Sequence, residues 1–277
     1  MGQSLLRIAG IQLARKATKE QTYAHIRELI DTIADGAADL VMLPEMWNGP
    51  YEAALFPRFA EPEGGPSWRF LSALAKEKRV YLCGGSIAEC EDGRVYNTSY
   101  VFDPDGRMIA KHRKVHLFDI DVPGGQRFME SDTFTPGDHF TVFDSPWGKI
   151  GVAICFDIRF VEQFRAMALM GAKLVLVPGA FNLTTGPAHW ELSFRMRAVD
   201  NQVFTAGCAP AQDMTASYHS WGHSVVCDPW GRVLSSLEEE PGLLVQELDL
   251  KQADAIRGQI PILKNRRTDL YRLDYVE

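Results

Sequence analysis

The 277-residue chain is 46% hydrophobic and 23% charged, an ordinary balance for a globular protein able to bury a core of useful size. Its formal net charge of −7, with no basic stripe to offset it, argues against a general nucleic-acid binder. It still permits a small anionic substrate held by one well-placed arginine. No apolar run reaches the roughly 18 residues of a membrane helix, and five cysteines without a Cys-x-x-Cys pair point to reduced thiols and a cytoplasmic protein, not to a disulfide framework or a structural zinc site.

Met1 to Gly10 reads as the start of a first strand, Leu5 to Leu13, and not as a signal peptide. Tyr23, Ile26, Ile30 and Ile33 recur at helical spacing and predict an amphipathic helix over 19–35, closed by Gly36. Asp39 to Leu43 is a short buried strand ending in Pro44 and Glu45. Trp68, Leu71 and Leu74 mark a second helix; Val80 to Ile87 and Tyr96 to Phe102 are strands, the latter ended by the turn Asp103-Pro104-Asp105-Gly106. An irregular span rich in Gly, Pro and Asp covers 115–140, and loops of that length are often functional. The pattern then restarts: strand 149–154, helix 161–171, strand 173–177, helix 189–200, strands 203–208 and 223–227. The tail, 251–277, is expected to pack on the body or on a neighbouring subunit.

The restart is an internal echo. Ala38-Asp39-Leu40-Val41-Met42-Leu43-Pro44 matches Ala172-Lys173-Leu174-Val175-Leu176-Val177-Pro178, and Asp103-Pro104-Asp105-Gly106-Arg107 matches Asp228-Pro229-Trp230-Gly231-Arg232. Arg7-Ile8-Ala9-Gly10-Ile11 matches Lys149-Ile150-Gly151-Val152-Ala153 in the same order. Two related halves of alternating strands and helices predict a layered α/β architecture. With only the short turn Asp144 to Gly148 between them, residues 1–277 are expected to form one domain.

Three apolar strands end in reactive residues. Cys155 closes Lys149 to Ile154, Glu45 follows Pro44, and Lys114 lies in Lys111-His112-Arg113-Lys114-Val115-His116. A thiol becomes a nucleophile when a base takes its proton and a cation stabilises the developing oxyanion. Glu45 offers the base, Lys114 the cation, and the turn after Cys155 a backbone N–H from Phe156. This set suits amide hydrolysis through a thioester and calls for no metal or cofactor.

Leu-Pro-Glu-Met-Trp, His-Arg-Lys-Val-His-Leu-Phe and Ala-Ile-Cys-Phe-Asp-Ile-Arg-Phe resemble the three catalytic motifs of the nitrilase superfamily of carbon–nitrogen hydrolases, over essentially the whole chain. The resemblance implies a four-layer α-β-β-α sandwich with two pseudo-symmetric halves, and a homodimer or higher homo-oligomer. Phe118 to Gly124, Pro178 to Trp190 and Gln259 to Leu263 are similar to the ω-amidase branch, whose substrates are the terminal amides of α-ketoglutaramate and α-ketosuccinamate. By that likeness Glu45, Lys114 and Cys155 form a triad, Glu130 orients the lysine and the substrate, and Arg159, Phe181 and Thr185 line the substrate pocket. Other acyl groups stay open on the same triad: N-carbamoyl-amine hydrolase, deaminated-glutathione amidase or nitrilase. So does a catalytically silent scaffold.

The residues also carry plainer readings. Lys114 sits in a basic run of the kind that usually forms a solvated face, and Arg159 is placed to pair with Asp157. His112 and His116 are four apart but lack the glutamate of a zinc-protease helix, which argues against metal binding.

Overall fold

A computed structural model describes residues 5–34, 36–124 and 127–275. Two six- to seven-stranded sheets face one another. The first runs in the order 242–249, 5–12, 40–42, 81–83, 94–102 and 87–91, with 108–113 also paired to 94–102. The second runs 233–236, 225–227, 204–208, 172–178, 148–152 and 141–145.

Strand alternation explains the layers. In the first sheet Ile8, Leu40 and Met42 point one way and meet Ile150, Val152, Leu174, Leu176 and Phe204 of the second sheet in one buried core. Ala9, Ile11, Val41 and Leu43 point the other way, under Ile26 and Ile30 of helix Lys19–Asp31 and Leu71, Leu74 and Ala75 of helix Pro66–Lys78. On the far side, Val175 and Val177 pack under Phe164 and Met167 of helix Val161–Leu169 and Trp190 and Phe194 of helix Gly186–Asn201. Strands buried on both faces need near-continuous apolar sequence, which is what 40–43 and 174–177 carry. The result is the expected α-β-β-α sandwich.

The two halves match in register. Ile8 pairs with Leu40 as Ile150 pairs with Leu174, and Gly10 with Met42 as Val152 with Leu176. Each half also gives its closing strand to the other sheet. Thr141–Ser145, which follows the first half, lies against 148–152 in the second sheet, and Gly242–Asp249, which follows the second half, lies against 5–12 in the first.

Several boundaries differ from expectation. The first helix ends at Asp31, where the Thr32 hydroxyl donates to the Leu29 carbonyl at 2.6 Å; Asp35 lies outside the described residues. The strand expected over 80–87 is two strands, Tyr81–Cys83 and Ile87–Glu91. Gly84-Gly85 breaks it because the backbone must pass close to Pro44: Gly85 has φ +62°, and a Cβ there would stand 2.1 Å from the Pro44 carbonyl oxygen. The span 115–140 contains a small hairpin, Asp119–Asp121 with Arg127–Met129, and a 3-10 turn Glu130–Asp132. Strand Met108–Arg113 and helix Lys251–Gln259 were not anticipated either. The tail packs on the body as expected, Arg257 Nη2 donating to the Ala172 carbonyl at 2.7 Å.

Candidate active site

Glu45 stands one residue beyond Pro44, at the end of strand Leu40–Met42, in a turn that the Gly84–Ser86 bend holds from behind. The Ser86 N–H donates to the Pro44 carbonyl at 3.1 Å, the Met46 N–H to Ser86 Oγ at 3.1 Å, and Trp47 Nε1 to the Gly84 carbonyl at 2.7 Å. Cys155 opens a 3-10 turn, 155–159, just after strand Gly148–Val152. Met46 has φ +49° and Cys155 φ +48°. Two non-glycine residues in the left-handed region beside one another's chemistry mark strain that the surroundings must hold.

Lys114 follows strand Met108–Arg113 and is fully buried, which overturns the solvated-face reading. Its Nζ lies 3.0 Å from Glu45 Oε1 and 2.9 Å from Glu130 Oε2. Glu130 also accepts from the Tyr51 hydroxyl at 3.0 Å and the Phe118 N–H at 2.8 Å. Each of these contacts can donate, which suits a Glu130 carboxylate, while burial first and then the Glu45 charge push its carboxyl up against the pull of Lys114 and the Phe118 N–H. Asn97 Nδ2 donates to Glu45 Oε1 at 2.9 Å, while Glu45 Oε2 is buried and without a hydrogen-bond partner. One oxygen of Glu45 is thus fixed and the other is open to take a proton.

Burial acts against the Lys114 charge, but Glu130 and Glu45 outweigh it and raise the ammonium well above its ordinary value. The Cys155 thiol moves well up as well, from burial first and then from the Glu45 carboxylate, with Lys114 and the Ala180 N–H opposing. Burial and the Glu45 carboxylate thus favour the thiol form of Cys155, against the thiolate that the Lys114 charge alone would favour.

Arg159 lies on the same turn as Cys155. Its Cζ is 4.8 Å from the Phe181 ring centroid and 5.7 Å from that of Phe156. Nη1 donates to His189 Nδ1 at 3.1 Å, and Nε is buried without a partner. Among the described residues no carboxylate pairs with it. The expected pairing with Asp157 does not occur, because Asp157 is taken by His112, His116 and the Ile154 N–H. His112 and His116 share no helix; His112 lies on strand Met108–Arg113 and His116 in the bend just past Lys114. Phe181 is buried, edge-on to Trp190 at 5.0 Å. Phe156 is half-buried, edge-on to Phe118 at 5.2 Å. Thr185 donates its hydroxyl to Asn182 Oδ1 at 3.0 Å, so its proton is committed to the turn before helix Gly186–Asn201. Sequence reasoning does not find Tyr51, which donates to Glu130, or Asn97, which donates to Glu45; Asn97 lies in the polar triplet Asn97-Thr98-Ser99 of strand Arg94–Phe102, and all three of those residues are buried.

The arrangement is that of a buried acid–base–thiol cluster beside an unpaired guanidinium. Residues 7–258 match the carbon-nitrogen hydrolase family. The chain belongs to that family. It is 51% identical over 271 residues to "Omega-amidase NIT2" of Mus musculus, covering 98% of each chain. Among solved structures, Nit3 of Saccharomyces cerevisiae, described as a member of branch 10 of the nitrilase superfamily, superposes with a TM-score of 0.88 at 37% identity, over 96% of this chain and 98% of that one. An amidase from Nesterenkonia sp. AN1, solved with the acetamide moiety of fluoroacetamide added covalently at its active-site cysteine, superposes with a TM-score of 0.79 at 26% identity, over 96% and 95%. The chain is an amidase of the nitrilase superfamily. No helix among the described residues is long and apolar enough to cross a membrane.

Proposed function

We propose that the protein hydrolyses the terminal amide of short dicarboxylate ω-amides, α-ketoglutaramate and α-ketosuccinamate among them, through a thioester on Cys155. The observation that carries the substrate class is Arg159: a guanidinium on the nucleophile's own turn, over an aromatic wall, with no acidic partner among the described residues. A carboxylate at the far end of the substrate fits its planar fork, and lysine would not reproduce that contact. Phe181 and Phe156 form the apolar walls, and Thr185 acts through the shape of its turn.

In the proposed reaction Glu45 Oε2 takes the thiol proton as sulfur attacks the amide carbon. The carbonyl electron pair moves to oxygen, where Lys114 and the Phe156 N–H stabilise it. As the C–N bond breaks, Glu45 returns the proton to nitrogen and ammonia leaves. Glu45 then draws a proton from water, whose oxygen attacks the thioester; the carboxylic acid departs and the proton returns to sulfur. Glu130 holds Lys114 in place throughout. The upward push on the Cys155 thiol suits this sequence, since sulfur gives its proton to Glu45 as it bonds to the acyl carbon. No step draws on a metal or cofactor.

The proposal takes residues 1–277 as one domain, supported by the reciprocal exchange of closing strands, and the protein as a cytoplasmic homodimer or higher homo-oligomer. Leu192, Met196 and Val199, exposed on helix Gly186–Asn201, support self-association. The substrate test is ammonia release from succinamate and butyramide by parent and Arg159→Lys. The parent should favour succinamate strongly and the variant should lose most of that preference. An unchanged ratio would place the carboxylate elsewhere and remove the support for this substrate class.

A further inference from the structure

Lys114 and Cys155 sit on different sheets, and their separation must hold to a fraction of an ångström for the cation to act on the sulfur and the oxyanion. One side chain spans the gap behind them. Asp157, two residues after Cys155 and fully buried, accepts at both oxygens. Oδ1 receives the His116 N–H at 2.9 Å and His116 Nδ1 at 2.9 Å. Oδ2 receives the Ile154 N–H at 2.9 Å and His112 Nε2 at 3.2 Å.

The donors fall at telling positions. His112 lies on strand Met108–Arg113 and His116 in the bend that follows it, two residues either side of Lys114. Ile154 is the residue before Cys155. The carboxylate therefore ties the stretch that carries the ammonium to the turn that carries the thiol. It also closes that turn on itself: Oδ2 takes the Ile154 N–H while the Asp157 N–H donates to the Ile154 carbonyl at 3.0 Å, around a Cys155 held at φ +48°. The far ends of the clamp are anchored too. His112 Nδ1 lies 3.0 Å from Thr141 Oγ1, and the His116 ring stacks on Phe160 at 3.6 Å and 8°.

We infer that Asp157 is a positioning residue that fixes the Lys114 ammonium relative to the Cys155 sulfur and holds the strained nucleophile turn. This rests on the proposed roles of Lys114 and Cys155. Asparagine at 157 keeps one acceptor oxygen but turns an NH₂ group toward a backbone N–H, that of Ile154 or His116, and removes the charge, so the clamp is weakened without a change of size.

The experiment compares parent, Asp157→Asn, Lys114→Met and the double variant. Three readouts are used: steady-state succinamate hydrolysis, the rate of Cys155 alkylation by iodoacetamide followed on the Cys155 peptide, and Tm. Asp157→Asn should lower kcat and the alkylation rate by about 10²-fold, the scale of a small misplacement of reacting groups, with KM little changed. In the Lys114→Met background the same substitution should have little further effect on alkylation, because the two act through one contact. The inference is overturned if Asp157→Asn lowers only Tm, or if its effect on alkylation multiplies in full with that of Lys114→Met. Should Asp157→Asn not fold, His116→Ala, which removes one side-chain donor and leaves the backbone one, takes its place with a smaller loss and the same cycle. Parent-like alkylation and turnover in Lys114→Met would take the triad reading down, and this inference with it.

Discussion

Residues 10–13 and 152–155 occupy matching places in the two sheets, three steps past paired strand positions, yet one stretch ends in Leu13 and the other in Cys155. The neighbouring strand ends differ in the opposite sense. Glu45 follows Pro44 beside Leu13, and Gly179 follows Pro178 beside Cys155. Leu13 is fully buried in the apolar layer under the first pair of helices. The residue before it, Gln12, is a polar staple: its amide donates to the Glu240 carbonyl at 2.7 Å and accepts from the Ser224 N–H at 2.9 Å and Ser224 Oγ at 2.8 Å. At the other end Gly179 is closely packed; a Cβ would stand 3.0 Å from the Trp190 ring and 3.4 Å from Cys155 Cα. A duplicated frame thus offers two equivalent strand ends per sheet. The proposed chemistry draws its base from one half and its nucleophile from the other, leaving the remaining pair to packing.

The sharpest way to break this comparison is to empty both matching positions. Cys155→Ala should abolish ammonia release with little change in Tm, since only a sulfur is lost. Leu13→Ala should cost about 2–5 kcal/mol of stability, as large-to-small core changes do, with kcat of the folded enzyme retained. Measurable turnover within tenfold of the parent in the Cys155→Ala variant would dissolve the asymmetry.

A second, smaller effect concerns the lysine that bridges the carboxylates. Lys114→Met should lower kcat by on the order of 10²–10³. It should also lower stability by about 3–5 kcal/mol, because Glu45 and Glu130 are left buried without their cation. A parent-like kcat and Tm would return Lys114 to an incidental role.

The smallest effect is the pH dependence of the clamp. Burial acts to raise the Asp157 carboxyl, but the hydrogen bonds from His112 and His116 outweigh it, so the group sits far below the usual carboxylate range. A depressed carboxylate contributes stability that is present above its unfolded value, about 3.9, and is lost only as pH falls toward the folded one. The Tm difference between parent and Asp157→Asn should therefore stay level from neutrality to about pH 5 and narrow below about pH 4. A difference that collapses near pH 6 would point to another group.

The strand-end residues were legible because apolar runs that stop abruptly at Glu45 and Cys155 are local patterns, and the echo between halves gave the layered fold. What escaped notice depends on distant partners. Gly242–Asp249 is a strand because it pairs along its whole length with Leu5–Gln12, far away in the chain. The break at Gly84-Gly85 follows from the approach of Pro44, and the histidines beside Lys114 gain a purpose only once Asp157 is brought beneath them. Tyr51, four residues past Trp47 of the Glu45 motif, gave no periodic signal of its contact with Glu130.

The exchange of closing strands also bears on how a ribosome makes this protein. Strand 5–12 is among the first segments to emerge, but its antiparallel neighbour is completed only at Asp249. At about 5–20 residues per second, synthesis of the intervening chain takes on the order of ten seconds or more. Throughout that interval one side of strand 5–12 is an open edge of unpaired N–H and C=O groups, a template for pairing with other chains. The nascent first half cannot close its own sheet. Its safe passage depends on whatever shields that edge during translation, and a chain released before residue 242 would expose the edge for good.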